Sequence, residues 1–111
     1  MNGDTMMPWK TLSATLNVGT STDGWNLAGP APGEEWEAPR SFYTEVFFAA
    51  PFAYPPVVHL SLTGFDIDQA YTSRLVVRAL DITANGFKAE ISTWHDSRVY
   101  SAEVAWLAIG P

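Results

Sequence analysis

The segment STWHDSRVY, residues 92–100, sets a tryptophan, a histidine and a tyrosine (Trp94, His95, Tyr100) around a polar turn between two strand-like stretches. Gly, Asn or Asp would suffice for such a connection. Together with Arg74, these residue types suit recognition of a neutral, hydroxyl-rich ring. A galactose-type sugar offers one apolar face of C–H bonds and a rim of hydroxyls, so it needs an aromatic ring to stack on and a few fixed polar groups. Trp94 and Tyr100 supply rings, while Arg74, His95, Asp96 and a loop carboxylate supply a donor fork and acceptors. Each such contact is worth about 1–3 kcal/mol before ordering costs. One shallow site therefore binds at around the millimolar level, and several copies in one assembly multiply it.

Other chemistries find less support. Glu34, Glu35 and Glu37 resemble a glycosidase acid/base set, but they share one short loop and no carboxylate is recognisably placed opposite, across the gap of about 5–10 Å that such a pair needs. His95-Asp96-Ser97 contains triad letters, yet adjacency in sequence is not triad geometry. No enzyme is expected. Asp66 and Asp68 in FDID lack the further oxygen ligands and turn glycine of a calcium loop, and two histidines without ligand spacing make no transition-metal site. Neither a metal nor a cofactor is expected.

The elements that must position these groups follow from a period-two apolar pattern running nearly throughout the chain, the signature of half-buried strands. Residues 11–18 put Leu12, Ala14, Leu16 and Val18 on one face, and SFYTEVFF is a dense aromatic strand. Between them lies a Gly- and Pro-rich loop, TSTDGWNLAGPAPGEEWEAPR, longer than the roughly 12–15 residues usual for connections without a function. It reads as a binding or subunit-contact loop. After APFAYPP, a strand at 57–65 directs Val58, Leu60 and Leu62 one way and His59, Ser61 and Thr63 the other, and FDIDQAYTS then makes a turn. In RLVVRALDIT, Leu75, Val77 and Ala79 share a face opposite Arg74 and Arg78. Asn85-Gly86 predicts a tight hairpin into FKAEISTW, which leaves Trp94 on the polar side. Residues 97–98 turn the chain into VYSAEVAWLAI, with Ala102, Val104, Trp106 and Ala108 inward. By the same parity Tyr100 falls inward, so the residues alone leave a core role and a sugar contact equally open. The expected fold is all-β, a six-stranded antiparallel β-sandwich forming a single domain over residues 1–111, with 1–10 as an N-terminal extension.

Composition narrows the partners. Six Lys+Arg against twelve Asp+Glu give a net charge of −6, and the basic residues are scattered, so nucleic acid is not an expected partner. No apolar run approaches the roughly 18 residues of a membrane span, and the opening MNGDTMMPWK shows no export signal, so membrane insertion is not expected. Compartment stays open, with an outside glycan as the natural target. The absence of cysteine excludes disulfides and thiolate chemistry. Aromatics at 14% with five Trp, against 16% charged residues, suggest surface given over to subunit or ligand contacts.

From SFYTEVFFAAPF to WLAI the chain resembles an H-type lectin domain, the family of snail agglutinins and of the C-terminal domain of slime-mould discoidins. The residues that carry the resemblance are FAAP and YPPVV within 48–58, SLTGFDID at 61–68, Arg74, NGFK at 85–88, TWH at 93–95, VYS at 99–101 and Trp106. DGW at 23–25 and PGEE at 32–35 extend it more weakly. The resemblance implies a homotrimer, sometimes paired into a dimer of trimers, that binds terminal N-acetylgalactosamine or galactose in clefts between protomers. Carried over, Arg74 and Tyr100 match sugar contacts of one protomer, and Trp94 and His95 match those of its neighbour, with His95 near the N-acetyl group. Gly33 matches a contributing loop glycine, and the family's loop aspartate falls on Glu35, a departure that passes its role to Glu35, Glu37 or Asp96. The family's cysteines are missing, so only noncovalent assembly fits. The alternative reading is a structural or attachment module, such as a fibre or adhesin piece, that keeps the trimeric fold without sugar binding; in either trimer His59, Ser61 and Thr63 would suit a central subunit contact.

Overall fold

The computed structural model describes residues 8–29, 35 and 38–111. Six strands follow one another: β1 (Lys10–Gly19), β2 (Arg40–Phe47), β3 (Val57–Ile67), β4 (Val76–Leu80), β5 (Gly86–Thr93) and β6 (Val99–Gly110). They form two antiparallel three-stranded sheets, in the orders β1-β6-β3 and β2-β5-β4. The all-β sandwich read from the alternation is the architecture found.

The central strands explain the layering. Ala102, Val104, Trp106 and Ala108 of β6 and Phe87, Ala89 and Ile91 of β5 are buried between the sheets. Small alanines on β6 leave room for the large rings opposite, which is how a thin sandwich reaches interior packing density. One half of the core is aromatic: Phe48 lies 5.1 Å from Phe52 and 5.7 Å from Trp106, and Phe87 meets Trp106 edge-on at 5.6 Å. The other half is built from Leu27, Phe42, Ile91, Val99, Ala102 and Val104.

That second half is closed by the start of the long loop. Trp25 packs on Phe42 with ring centroids 5.1 Å apart, and its Nε1 donates to the Val99 carbonyl oxygen at 2.9 Å. The Val99 amide donates to the Leu27 carbonyl oxygen at 2.7 Å. The chain crosses between the sheets after β1, β3 and β5, each time leaving its strand at this same end. Arg74, Trp94, His95 and Tyr100 lie on or beside the connections at 68–75 and 94–98.

Several local expectations are corrected. Asn85-Gly86 is not the two-residue turn: the β4–β5 loop spans 81–85, with Asp81 at φ 51°, and Gly86 already belongs to β5. Gly86 answers a packing need, because a Cβ there would sit 2.1 Å from the Val46 carbonyl oxygen of β2. FDIDQAYTS does not turn at once, since β3 runs on to Ile67. Between β5 and β6 the turn falls at His95-Asp96, not at 97–98, and His95 takes the left-handed φ of 61° that lets the chain reverse there. β4 is shorter than RLVVRALDIT, which leaves Arg74 in the connection before it.

Candidate functional site

Arg74 anchors the site. Its Nη1 donates to Asp96 Oδ1 at 2.9 Å and to Ser97 Oγ at 3.1 Å. Its backbone carbonyl accepts from Thr93 Oγ1 at 2.5 Å, and Ser97 Oγ donates to the Thr72 carbonyl oxygen. The 68–75 connection is thereby pinned to the β5–β6 turn. His95 Nδ1 approaches the same carboxylate oxygen at 3.6 Å, close enough for an ion pair only when the imidazole is protonated. The Asp96 carboxyl is held below its usual range first by the Arg74 hydrogen bond, against a smaller upward push from burial. Trp94 follows the last residue of β5 and precedes His95, and it is 41% exposed.

Beneath the turn lies a residue that the sequence reading passed over. Arg40 is buried, and its guanidinium donates to the His95 carbonyl oxygen at 3.2 Å and to the Ser97 carbonyl oxygen at 2.5 Å. A planar fork bonding the two carbonyls on either side of Asp96 braces the left-handed turn that follows Trp94. A buried arginine is rarely left without partners, but from sequence Arg40 was the last letter of a loop; nothing local signalled its partners fifty-odd positions on.

Tyr100 does not take the inward place that parity assigned it. In the β3–β6 pairing Asp66 lies opposite Ser101 and Ile67 opposite Val99, so Tyr100 is the extra residue of a β-bulge. The bulge turns Val99 into the core and Tyr100 outward, where its hydroxyl donates to Asp68 Oδ2 at 2.9 Å. Asp68 also accepts from the Ala70 amide at 2.9 Å. The Ala70 and Tyr100 hydrogen bonds, in that order, lower the Asp68 pKa, and the bond to Asp68 raises that of the Tyr100 phenol. Beside them the Arg98 guanidinium lies 4.4 Å from the Tyr71 ring centroid and donates to the Tyr71 hydroxyl at 3.0 Å.

The predicted residues therefore form two groups within the chain. Arg74 and His95 meet through Asp96 next to Trp94, while Tyr100 is tied to Asp68 and lines a separate groove of about 440 Å³ with Asn17, Gly19, Phe65 and Ser101. Glu35 is exposed, and its backbone carbonyl accepts from the Ala38 amide at 3.2 Å. Gly33, Glu34 and Glu37 lie outside the described residues. Ser97 is fully buried, so the triad letters at 95–97 present no accessible hydroxyl. Among the described residues no group of three or more His, Cys, Asp or Glu could hold a metal ion, and no helix is long and apolar enough to cross a membrane.

Residues 44–109 match the H-type lectin domain family. This chain belongs to that family. The H-type lectin match begins within β2 and ends within β6, so it includes Arg74, Trp94, His95 and Tyr100 and stops short of the long loop. A relative, the product of open reading frame 7 in the ATP synthase subunits region of Fuscovulum blasticum, is 36% identical over 80 residues, covering 70% of each chain. Discoidin II of the slime mould Dictyostelium discoideum shares the fold with a TM-score of 0.74 at 18% identity, over 91% of this chain and 36% of that one. The tailspike of Pseudomonas phage phi297 matches with a TM-score of 0.52 at 15% identity, over 91% of this chain and 15% of that one. This chain thus spans about a third of the length of the discoidin II chain. Family and fold together make it a module of the carbohydrate-binding lectin type.

Proposed function

We propose that the chain binds terminal N-acetylgalactosamine or galactose, noncatalytically, in clefts between the protomers of a noncovalent homotrimer. The observation that carries this reading is Trp94, a partly exposed aromatic residue immediately before His95 in the turn that holds the Arg74–Asp96–His95 cluster. Trp94 would stack on the apolar face of the sugar. His95 would face the N-acetyl group, and Arg74, both of whose bonds leave from Nη1, would offer its other arm to a hydroxyl. Asp96 is the carboxylate already at the cluster, so it takes the part of the family's loop aspartate more naturally than exposed Glu35. Glu35 and Gly33 would close the cleft from the loop.

A plate with one wall holds a sugar poorly. Tyr100 is engaged with Asp68 on the other sheet, while Arg74 is held by Asp96 in the turn that carries Trp94 and His95. This favours a site completed by the Tyr100 of an adjacent protomer, a different split from the pairing of Arg74 with Tyr100 that the resemblance implies. Three such weak clefts would act together through multivalency. A glycan array probed with the folded protein, its mass measured in solution, tests the reading. Binding to galactose-terminated glycans by a trimer is expected; a monomer at micromolar concentration would contradict the split cleft.

A second reading keeps the trimeric fold as a structural or attachment module. It is favoured by the occurrence of the fold within a phage tailspike and by the Arg74 charge being already matched by Asp96. A folded trimer that ignores every galactose-type glycan on the array would establish it over the lectin.

A further inference from the structure

The groove beside Tyr100 belongs to the site already described, but a second hollow does not. It lies at the opposite end of the β2-β5-β4 sheet, has a volume of about 240 Å³, and is lined by Glu45, Phe47, Asp81, Thr83, Asn85 and Gly86 among others. Phe47 is 78% exposed, at the last position of β2. Its cross-strand partner is Gly86, so no side chain stands beside the ring on that row. A phenylalanine opposite a glycine often folds down to cover the bare backbone. At this exposure Phe47 stands clear instead, an apolar wall over a depression floored by Gly86.

The rim is polar and preformed. Thr83 fastens the loop, its amide donating to the Gly86 carbonyl oxygen at 2.9 Å while its Oγ1 accepts from the Asn85 amide at 3.1 Å. Asp81 is held by Lys88 Nζ at 3.5 Å, and Glu45 stands opposite Lys88 in the register. One aromatic wall, two carboxylates that accept hydrogen bonds from hydroxyls and an amide that can both donate and accept are the elements a pyranose needs. The volume, just under the roughly 300–1,000 Å³ of pockets for larger ligands, suits one ring. Two carboxylates against the single ammonium of Lys88 leave a net negative rim, which disfavours uronic and sialic acids.

We propose that this hollow is a second sugar site, taking a single neutral pyranose and independent of the Trp94 cleft. Each chain then carries binding groups at both ends of the sandwich, a geometry suited to cross-linking glycan-bearing surfaces. The test is amide chemical-shift mapping of the full chain titrated with methyl galactopyranoside, methyl mannopyranoside and methyl glucopyranoside, each to about 50 mM, well above a millimolar dissociation constant. Saturable shifts at 45–47 and 81–87 with at least one of them are expected, and Phe47→Ala should weaken that set about tenfold or more at an unchanged melting temperature. Silence at those residues with all three sugars, or shifts there that survive Phe47→Ala, would overturn the proposal. Shifts confined to 94–100 would sink the hollow and leave the cleft; shifts confined to 45–47 and 81–87 would support the hollow and remove the cleft.

Discussion

The guanidinium of Arg74 and the carboxylate of Asp96 meet at 2.9 Å, joining the 68–75 connection to the β5–β6 turn. The side chains are 22% and 40% exposed, so the pair is partly screened by water and its worth lies more in geometry than in energy. It sets the arginine and the acid that a sugar would meet into one rigid unit next to Trp94.

That pairing sets a pH dependence. The Asp96 pKa is lowered below 3.8 in the folded chain, chiefly by Arg74, so its contribution to stability is present above the unfolded value and is lost as the pH falls through the folded one. Acid unfolding of the parent and of Asp96→Asn, followed by circular dichroism between about pH 5 and pH 2, should show the parent losing stability faster. Equal slopes would mean that the ion pair is not maintained in solution.

Trp94→Ala and Arg74→Ala should each abolish galactose binding in calorimetric titration. Trp94 is partly exposed, and Arg74→Ala removes side-chain hydrogen bonds to Asp96 and Ser97 while keeping the backbone carbonyl that Thr93 bonds, so each melting temperature should stay within a few degrees of the parent's. Retained affinity in both variants would move the site elsewhere.

Arg40→Lys keeps the charge but cannot span the His95 and Ser97 carbonyls with one planar group. Weaker sugar binding is expected from a residue that touches no sugar, together with altered amide shifts across 94–97. Unchanged shifts there would remove Arg40 from the positioning of the turn.

Gly86→Ala should destabilise by about 1–3 kcal/mol or more, since its methyl would press on the β2 backbone at Val46. Denaturant unfolding measures this directly. A neutral result would show that β2 and β5 can part without loss.

The Tyr100 phenol should ionise above its ordinary value of 10.0, because its proton is shared with the Asp68 carboxylate. Asp68→Asn removes that charge and should bring the phenol's titration back down, read from its ultraviolet absorbance difference. No shift between the two proteins would deny the bond.

How much of this was legible can be judged residue by residue. Alternation alone placed Val104, Trp106 and Ala108 of β6 and Phe87, Ala89 and Ile91 of β5 in the core, because a strand's side chains alternate whatever it pairs with. The family resemblance picked out Arg74, Trp94, His95 and Tyr100, and the family match spans all four. Tyr100, however, obeyed the bulge instead of the alternation, and a bulge exists only where two particular strands meet out of step. Gly86 looked like a turn glycine and proved to be a contact with β2, and Arg40 looked like a loop end and proved to be a clamp on His95 and Ser97. Local pattern thus determined which residues are strands and which faces are apolar, since these depend on neighbours in the chain. Tertiary structure decided where the turn at His95 falls, which way Tyr100 points and what clamps the turn after Trp94, since these depend on side chains and strands brought in from distant parts of the sequence.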